Sequence, residues 1–171
     1  MKTILALDPG SKTGWAYRAP LPAKPFPWDD GELVVVSSGT ALFERKRGAS
    51  AGMRFVLFTA WLQQTLDAVK PDVVVYEMAH HRGGAATEIL VGFTTRIQEE
   101  CERRGIEYLG VHTGTMKKEV LGSGRAEKSD SIKFAENYLG RKVGGDDEAD
   151  AACLLAYMES QLAGGRKLGD K

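Results

Sequence analysis

The sequence predicts an α/β fold: a five-stranded mixed sheet with helices on both faces. The chain has 171 residues, which suits one domain with one substantial core. Short apolar runs bounded by turn residues alternate with longer segments whose apolar residues recur at helical spacing. The predicted order is strand-strand-strand-helix-strand-helix-strand-helix. Three hairpin-linked strands followed by two right-handed crossovers give an antiparallel sheet that continues as a parallel one.

Three strands open the chain. Residues 3–8 form the apolar run of a buried strand, and residues 10–14 hold the glycines of a turn. Residues 14–18 then return antiparallel, and residues 32–38 form the third strand. Residues 19–30 contain four prolines. Because prolines so dense exclude a regular helix or a central strand, this stretch is predicted to be an insertion at the hairpin tip.

The rest of the chain alternates helices with two further strands. Thr87 is the predicted N-cap of the second helix, and Gly105 is predicted to end it. The predicted helices cover residues 50–69, 87–104, 115–121, 129–139 and 147–162, and the predicted strands cover residues 72–77 and 106–112. Residues 1–163 are predicted to form a single domain, followed by a flexible polar tail at residues 164–171.

Composition excludes several classes of protein. Hydrophobic residues make up 43% of the chain, yet no stretch approaches the ~20 apolar residues of a membrane span. No signal peptide is recognisable, so the protein is expected to be cytoplasmic, without a membrane partner. Cys101 and Cys153 both lie in helical patterns and are predicted to be buried apolar side chains. The net charge of zero counts against nucleic-acid binding unless the charges are segregated on the surface.

Four carboxylates occupy positions that together suggest a metal site. Asp8 and Glu77 each end an apolar strand, where a buried charge is costly without compensation. The first and fourth strands are expected to be neighbours, so these two side chains would lie side by side. Asp147 and Asp150 are three residues apart and share a face of the last predicted helix. Acidic residues in a first helical turn are ordinary by themselves, but the four together favour a metal site.

Hard oxygen ligands favour Mg²⁺, with Mn²⁺ expected to substitute for it. Phosphodiester cleavage commonly uses two such ions, about 3.5–4 Å apart. Asp8, central in the sheet, suits a ligand shared between them. Asp146 is an alternative to Asp147 as a ligand because it is four residues from Asp150, although it is predicted to cap the helix. Glu148 is predicted to point away from this face.

Four segments resemble the RuvC family of Holliday-junction resolvases. Residues 4–16, ILALDPGSKTGWA, resemble the opening of that family, and Val75–Glu77 resembles its second acidic motif. Residues 117–128, KKEVLGSGRAEK, resemble its basic segment, and residues 147–151, DEADA, match its closing acidic pair. The four motifs occur in the family order and span nearly the whole chain.

The resemblance implies an RNase H-like fold, a homodimer, and symmetric nicking of four-way DNA junctions with two magnesium ions per active site. Its implied catalytic residues are Asp8, Glu77, Asp147, Asp150 and Lys128, of which the four carboxylates also hold the metal. The implied nucleic-acid-binding residues are Lys117, Arg125 and Lys128, with Lys118 as an alternative partner to Lys117 in the alignment. Helix 87–104 is the candidate dimer interface.

The sequence departs from the family pattern at two places. The insertion at residues 19–30 is longer than expected. His80, His81 and Arg82 follow the second acidic motif, where the family often carries an aromatic or apolar residue that probes the junction centre. A histidine ring can stack on bases, so this loop is expected to contact DNA. If the protein binds DNA, Arg45–Arg47 and the basic residues of segment 117–128 should lie together around the acidic pocket.

Other functions remain open. A nuclease of the same fold that acts on RNA or on other branched DNA would share the carboxylates, although segment 117–128 favours a RuvC-like resolvase. An ATP-binding actin-like module begins with a similar strand-Asp-x-Gly turn, but 171 residues leave no room for its second lobe. A catalytically inactive junction-binding module is disfavoured by the intact acidic set, because carboxylates repel DNA unless a metal is bound.

Overall fold

A computed structural model of the chain describes residues 1–21, 34–44, 47–79 and 84–165. Its strands are β1 (Ile4–Asp8), β2 (Lys12–Pro20), β3 (Val34–Leu42), β4 (Val73–Glu77) and β5 (Glu107–Val111). Its helices are α1 (Met53–Val69), α2 (Ala85–Arg104), α3 (Thr113–Leu121), α4 (Lys128–Leu139) and α5 (Asp146–Ala163).

The five strands form one mixed sheet in the order β3-β2-β1-β4-β5. β1 pairs antiparallel with β2, and β2 pairs antiparallel with β3. β1 pairs parallel with β4, and β4 pairs parallel with β5. The predicted fold class and the predicted neighbours in the sheet are therefore confirmed.

Side-chain alternation along β1 divides the core into two layers. Leu5 and Leu7 are fully buried against α1 and α2. Ile4 and Ala6 are buried on the opposite face, where α5 packs. Since side chains alternate along a strand, Asp8 continues the face of Ile4 and Ala6, toward α5. The sheet thus directs the carboxylate at the end of β1 to the helix that carries the last two predicted ligands.

The turn between β1 and β2 is tighter than the sequence predicts. β2 begins at Lys12, which pairs with Leu42 of β3, whereas residues 10–14 are predicted to be a turn. The hydroxyl of Thr13 donates to the carbonyl of Gly10 at 2.8 Å and accepts from the Gly10 N–H at 3.2 Å. This buried threonine closes the connection within three residues, so the strand can start earlier.

The other end of β2 also extends further than predicted, through Pro20. A proline is tolerated there because the pairing with β1 ends at Arg18, so the missing N–H faces no strand on that side. Of the predicted insertion, residues 22–30 lie outside the described residues. The predicted single domain and flexible tail stay predictions, and residues 166–171 also lie outside the described part.

The helices begin at different residues from those predicted. The N-cap of α2 is Gly84, with φ of 82°, so the prediction that Thr87 caps it is wrong. A glycine adopts this conformation easily. The helix therefore begins at Ala85, three residues before the start that a Thr87 cap would give. Cys101 and Cys153 are buried and free, as predicted. In the described ranges, no helix is both long enough and apolar enough to cross a membrane.

Candidate metal centre

Three of the four predicted carboxylates converge at one end of the sheet. Asp8 ends β1, Glu77 ends the neighbouring parallel strand β4, and Asp150 lies in the second turn of α5. One oxygen from each carboxylate lies within 4.8 Å of the others. Residues 142 positions apart in the chain thus meet because parallel strands end at the same edge and α5 packs across it.

Gly14 allows α5 to come this close to the sheet. It pairs with Asp8 across the β1–β2 ladder. A Cβ added to Gly14 would lie 1.8 Å from the backbone carbonyl oxygen of Asp147, which no side chain tolerates. The backbone of the first turn of α5 therefore rests directly on β2. The sequence predicts that Gly14 ends a turn and begins the second strand, and it gives no sign of this contact.

The electrostatics of the cluster are unfavourable without a cation. Burial raises the pKa of Asp8 well above its ordinary value, and the charges of Glu77, Asp150 and Asp147 raise it further. In the part of the chain that the structure describes, the Asp8 carboxylate makes no hydrogen bond or ion pair. A carboxylate in this position is stabilised either by a proton or by a metal ion.

Asp150 is also incompletely satisfied. Burial raises its pKa, while the nearby Ser131 hydroxyl and the charge of Lys117 act in the opposite direction. The Ser131 hydroxyl lies close enough to affect the carboxylate, but its geometry falls short of a hydrogen bond. Ser131 Oγ and Asp150 Oδ1 are thus buried without a hydrogen-bonding partner among the described residues. A buried, unpaired carboxylate oxygen beside two further carboxylates is the donor set that a hard divalent cation requires.

Glu77 is oriented by a residue that the sequence does not single out. The hydroxyl of Thr113, the first residue of α3, donates to Glu77 Oε1 at 2.5 Å. Such a contact fixes the rotation of the carboxylate, as outer hydrogen bonds do for metal ligands. The only signal in the sequence is that Thr113 follows the end of β5 by two residues, at the same edge of the sheet.

Asp147 lines the same cavity of about 380 Å³ as Asp8 and Glu77, but it does not join their cluster. Its Oδ2 is 2.8 Å from the ammonium nitrogen of Lys12. The sequence predicts a turn at Lys12 and indicates no role for it. The structure thus brings the fourth predicted ligand to the site and pairs it with a lysine.

Asp146 does not cap α5, so that prediction is wrong. The N-cap is Gly145, with φ of 144°, a conformation that favours glycine. The Asp146 carboxylate instead binds the ammonium of Lys128, and this contact lowers the pKa of Asp146. The two adjacent aspartates therefore contact different lysines, and Asp147 is the one that faces the cavity.

Segment 117–128 lies beside the carboxylates. Lys117 is buried, and its ammonium donates to the carbonyl of Ala126 at 3.0 Å, which ties α3 to the loop before α4. Its charge reaches Asp150, as does that of Lys128. Lys128 is the exposed member, with 76% of its side chain accessible. Lys118 and Arg125 are exposed as well. The remaining predicted DNA contacts, His80, His81, Arg82, Arg45 and Lys46, lie outside the described residues.

Glu148 points away from the site, as predicted. It is 4% exposed and accepts three hydrogen bonds, from the Gly144 N–H at 2.6 Å, Ser38 Oγ at 2.7 Å and Arg141 Nη2 at 2.8 Å. Burial raises its pKa, but the hydrogen bonds from Gly144, Ser38 and Arg141 outweigh that effect and lower it. These contacts attach the first turn of α5 to β3 and to the loop before the helix.

The chain resembles known proteins along nearly its whole length. No family model matches the sequence. A curated crossover junction endodeoxyribonuclease RuvC from Nitratidesulfovibrio vulgaris strain DP4 is 27% identical over 170 residues, covering 95% of this chain and 96% of the relative. Another of the same name, from Parvibaculum lavamentivorans, is 28% identical over 155 residues, covering 89% and 83%.

Solved structures have the same fold. Thermus thermophilus RuvC superposes with a TM-score of 0.74 at 15% identity, covering 95% of this chain and 96% of that one. The yeast mitochondrial Holliday junction resolvase Ydc2 superposes with a TM-score of 0.60 at 13% identity, covering 94% and 80%. The acidic and basic motifs occur in order and the similarity covers nearly the entire length, so the predicted resemblance to the RuvC family is confirmed.

Proposed function

We propose that the protein is an endonuclease that resolves four-way DNA junctions by nicking two opposed strands symmetrically. The observation that carries this proposal is the cluster of Asp8, Glu77 and Asp150, with oxygens within 4.8 Å of one another. It occurs in a chain whose curated relatives are crossover junction endodeoxyribonucleases. A cluster of carboxylates whose oxygens converge is the donor set of a nuclease metal site, and the relatives supply the class of substrate.

The proposed cofactor is Mg²⁺, with Mn²⁺ as a substitute and two ions per active site. Asp8, Glu77 and Asp150 would hold one ion, and Asp8 and Asp147 would hold the other. When bound, the ions would activate a water molecule and stabilise the leaving oxygen of the cleaved phosphodiester. The proposed products carry 5′-phosphate and 3′-hydroxyl ends. The contribution of the chain is to hold the four carboxylates at one edge of the sheet, with Glu77 oriented by Thr113.

The proposed DNA contacts come from the basic segment and from the loop after β4. Lys128 is exposed next to the acidic cluster, where its ammonium would bind the backbone phosphate and stabilise the charge that develops on it. Lys117 is buried and acts through its charge on Asp150. The other proposed DNA-binding residues are Lys118, Arg125, His80, His81 and Arg82.

A homodimer is proposed because a four-way junction has two-fold symmetry and requires two coordinated nicks. The predicted interface is helix 87–104, which corresponds to α2. Three exposed apolar side chains, Met53, Val56 and Leu57, lie on the neighbouring helix α1, so the proposed interface includes both helices. Light scattering should give the mass of a dimer at working concentration, and a monomer would contradict the proposal. The proposed location is the cytoplasm.

Comparison of four labelled substrates tests the function: a synthetic four-way junction, linear duplex, a flap, and an RNA–DNA hybrid. The junction should be cut selectively, in paired strands, only with Mg²⁺ or Mn²⁺. Equal cutting of all four substrates would contradict the resolvase proposal. Selective cutting of the hybrid would favour instead a nuclease of the same fold that acts on RNA.

A further inference from the structure

The proposed two-ion site is formed on one side and obstructed on the other. Asp8, Glu77 and Asp150 already present their oxygens to one another. Asp147, the ligand expected to complete the second ion's shell with Asp8, lies on the wall of the same cavity. Its Oδ2 accepts a hydrogen bond from the ammonium of Lys12 at 2.8 Å. A lysine therefore stands where a cation would have to approach Asp147.

The ammonium of Lys12 lies between an unfavourable helix N-terminus and the favourable charges of nearby acidic residues. Its ammonium lies close to Gly145, the N-cap of α5, since a Cβ added there would be 3.4 Å from Lys12 Nζ. The N-terminus of a helix carries a partial positive charge, which disfavours an ammonium. The side chain is 39% exposed, so solvent offers it an alternative. The hydrogen bond from Lys12 to Asp147, together with the charges of Asp147, Asp146 and Glu148, raises the pKa of Lys12.

We infer that Lys12 is an internal counter-cation for the second metal subsite: it neutralises Asp147 when no ion is bound and must move away before an ion binds there. This inference rests on the proposed function, because it presupposes a second ion. An ammonium at hydrogen-bond distance from Asp147 Oδ2 and a divalent ion on the same carboxylate would repel each other strongly. The two states are therefore exclusive, and the second ion binds more weakly than the carboxylate set alone would allow.

The consequence is unequal affinity for the two ions. The first ion enters the converged cluster of Asp8, Glu77 and Asp150, whereas the second has to displace Lys12 from Asp147. Because the pair is partly exposed, its contribution is modest. Removal of the lysine charge should therefore strengthen binding of the second ion by about two- to fivefold. The first ion should change less.

Titration of Mn²⁺ onto the metal-free protein, followed by calorimetry and by the electron paramagnetic resonance of free Mn²⁺, tests this without any cleavage. The variants are Lys12→Gln, which removes the charge, and Lys12→Arg, which keeps it. Lys2→Gln is the matched control, since Lys2 forms a similar pair with Glu107 at 2.7 Å, at the opposite end of β1. Lys12→Gln should tighten the second binding constant, and Lys12→Arg and Lys2→Gln should match the wild type.

A double-mutant cycle separates a direct effect from a general effect of charge. In an Asp147→Asn background, Lys12→Gln should no longer alter the second constant. An unchanged or weaker second constant in Lys12→Gln would overturn the inference and leave the proposed metal site intact. Binding of a single ion in every variant would also overturn it, since no second subsite would exist. Failure of the wild type to bind any Mn²⁺ would overturn both the inference and the proposed metal site.

Discussion

Glu148 and Asp150 are two residues apart on α5, and the protein treats their charges in opposite ways. Glu148 accepts hydrogen bonds from Gly144, Ser38 and Arg141, and its pKa is lowered. Asp150 Oδ1 is buried without a partner among the described residues, and the pKa of Asp150 is raised. Hydrogen bonds within the chain compensate the charge of Glu148. The charge of Asp150 is available to be compensated by a bound cation.

The difference distinguishes a carboxylate with a structural role, Glu148, from a proposed metal ligand, Asp150, on the same helix. Glu148 joins α5 to β3 and to the loop before the helix, so it stabilises the position of the first turn. Asp150 and Asp8 lie on the other side of that turn, where burial and mutual repulsion cost stability until a cation binds. The hydrogen bonds of Glu148 therefore keep α5 in the position that brings Asp150 close to Asp8.

The largest expected effect is that of Asp8→Asn. The variant keeps the shape of the side chain and removes the charge that a metal ion needs, so junction cleavage should fall by about a thousandfold or more. Junction binding should be retained. Without metal the variant should unfold at a higher temperature than the wild type, because the substitution relieves repulsion in the cluster. Retained cleavage with Mg²⁺ or Mn²⁺ would remove Asp8 from the site.

Truncation of Glu148 should have the opposite effect on stability. Glu148→Ala leaves the Gly144 N–H and Ser38 without their acceptor, while Arg141, 47% exposed, is rehydrated. We expect a loss of about 2–3 kcal/mol in the free energy of unfolding, measured by urea denaturation. Glu99→Ala is the control, since Glu99 forms an exposed pair with Arg103 and should change stability by less than about 1 kcal/mol. Equal losses in the two variants would contradict the structural role of Glu148.

The sequence predicts that Asp8 and Glu77 converge, but it does not predict the contact between Lys12 and Asp147. The apolar runs before Asp8 and Glu77 define strand ends, and the parallel pairing of β1 with β4 then brings both carboxylates to one edge. Lys12 and Asp147 meet only because Gly14 lets α5 rest on β2. No pattern of local spacing contains that contact, because it joins segments from opposite ends of the chain.

The sequence also mispredicts the N-caps of α5 and α2. Aspartate is a residue type that often caps helices, but the N-cap of α5 is Gly145, and Asp146 forms an ion pair with Lys128. The N-cap of α2 is similarly Gly84, with a positive φ, and not Thr87, so α2 begins earlier than predicted. At both helices a glycine with a conformation unfavourable for other residues determines the start, and the preference for a polar cap is overridden.

Thr113→Val should have an intermediate effect, on metal affinity alone. The valine has nearly the same shape but cannot donate to Glu77 Oε1, so the ligand loses this orienting contact. Loss of such an outer hydrogen bond typically weakens metal binding by about 10-fold or more. Calorimetric titration of Mn²⁺ measures the change. Thr115→Val, at an exposed position on the same helix, is the matched control and should bind like the wild type. An unchanged affinity in Thr113→Val would mean that the hydrogen bond from Thr113 does not matter for metal binding by Glu77.

The smallest expected effect is a difference in how stability depends on pH. In the metal-free folded protein Asp8 keeps its proton above its ordinary pKa of 3.8, so between 3.8 and its raised pKa the folded state binds more protons than the unfolded state. Stability should therefore fall as pH rises through that window. The lowered pKa of Glu148 acts in the opposite direction, because its contribution is present above its ordinary value of 4.5 and is lost as pH falls through the folded value.

Thermal denaturation in EDTA from pH 3.5 to pH 8, for the wild type and for Asp8→Asn, separates these two contributions. Both proteins should lose stability on the acidic side, because both retain Glu148. On the alkaline side the wild type should decline more steeply than Asp8→Asn, and saturating Mg²⁺ should reduce that difference because the ion replaces the proton. Parallel curves for the two proteins in EDTA would mean that solvent already compensates Asp8, and the contrast between the two sides of α5 would then reduce to Glu148 alone.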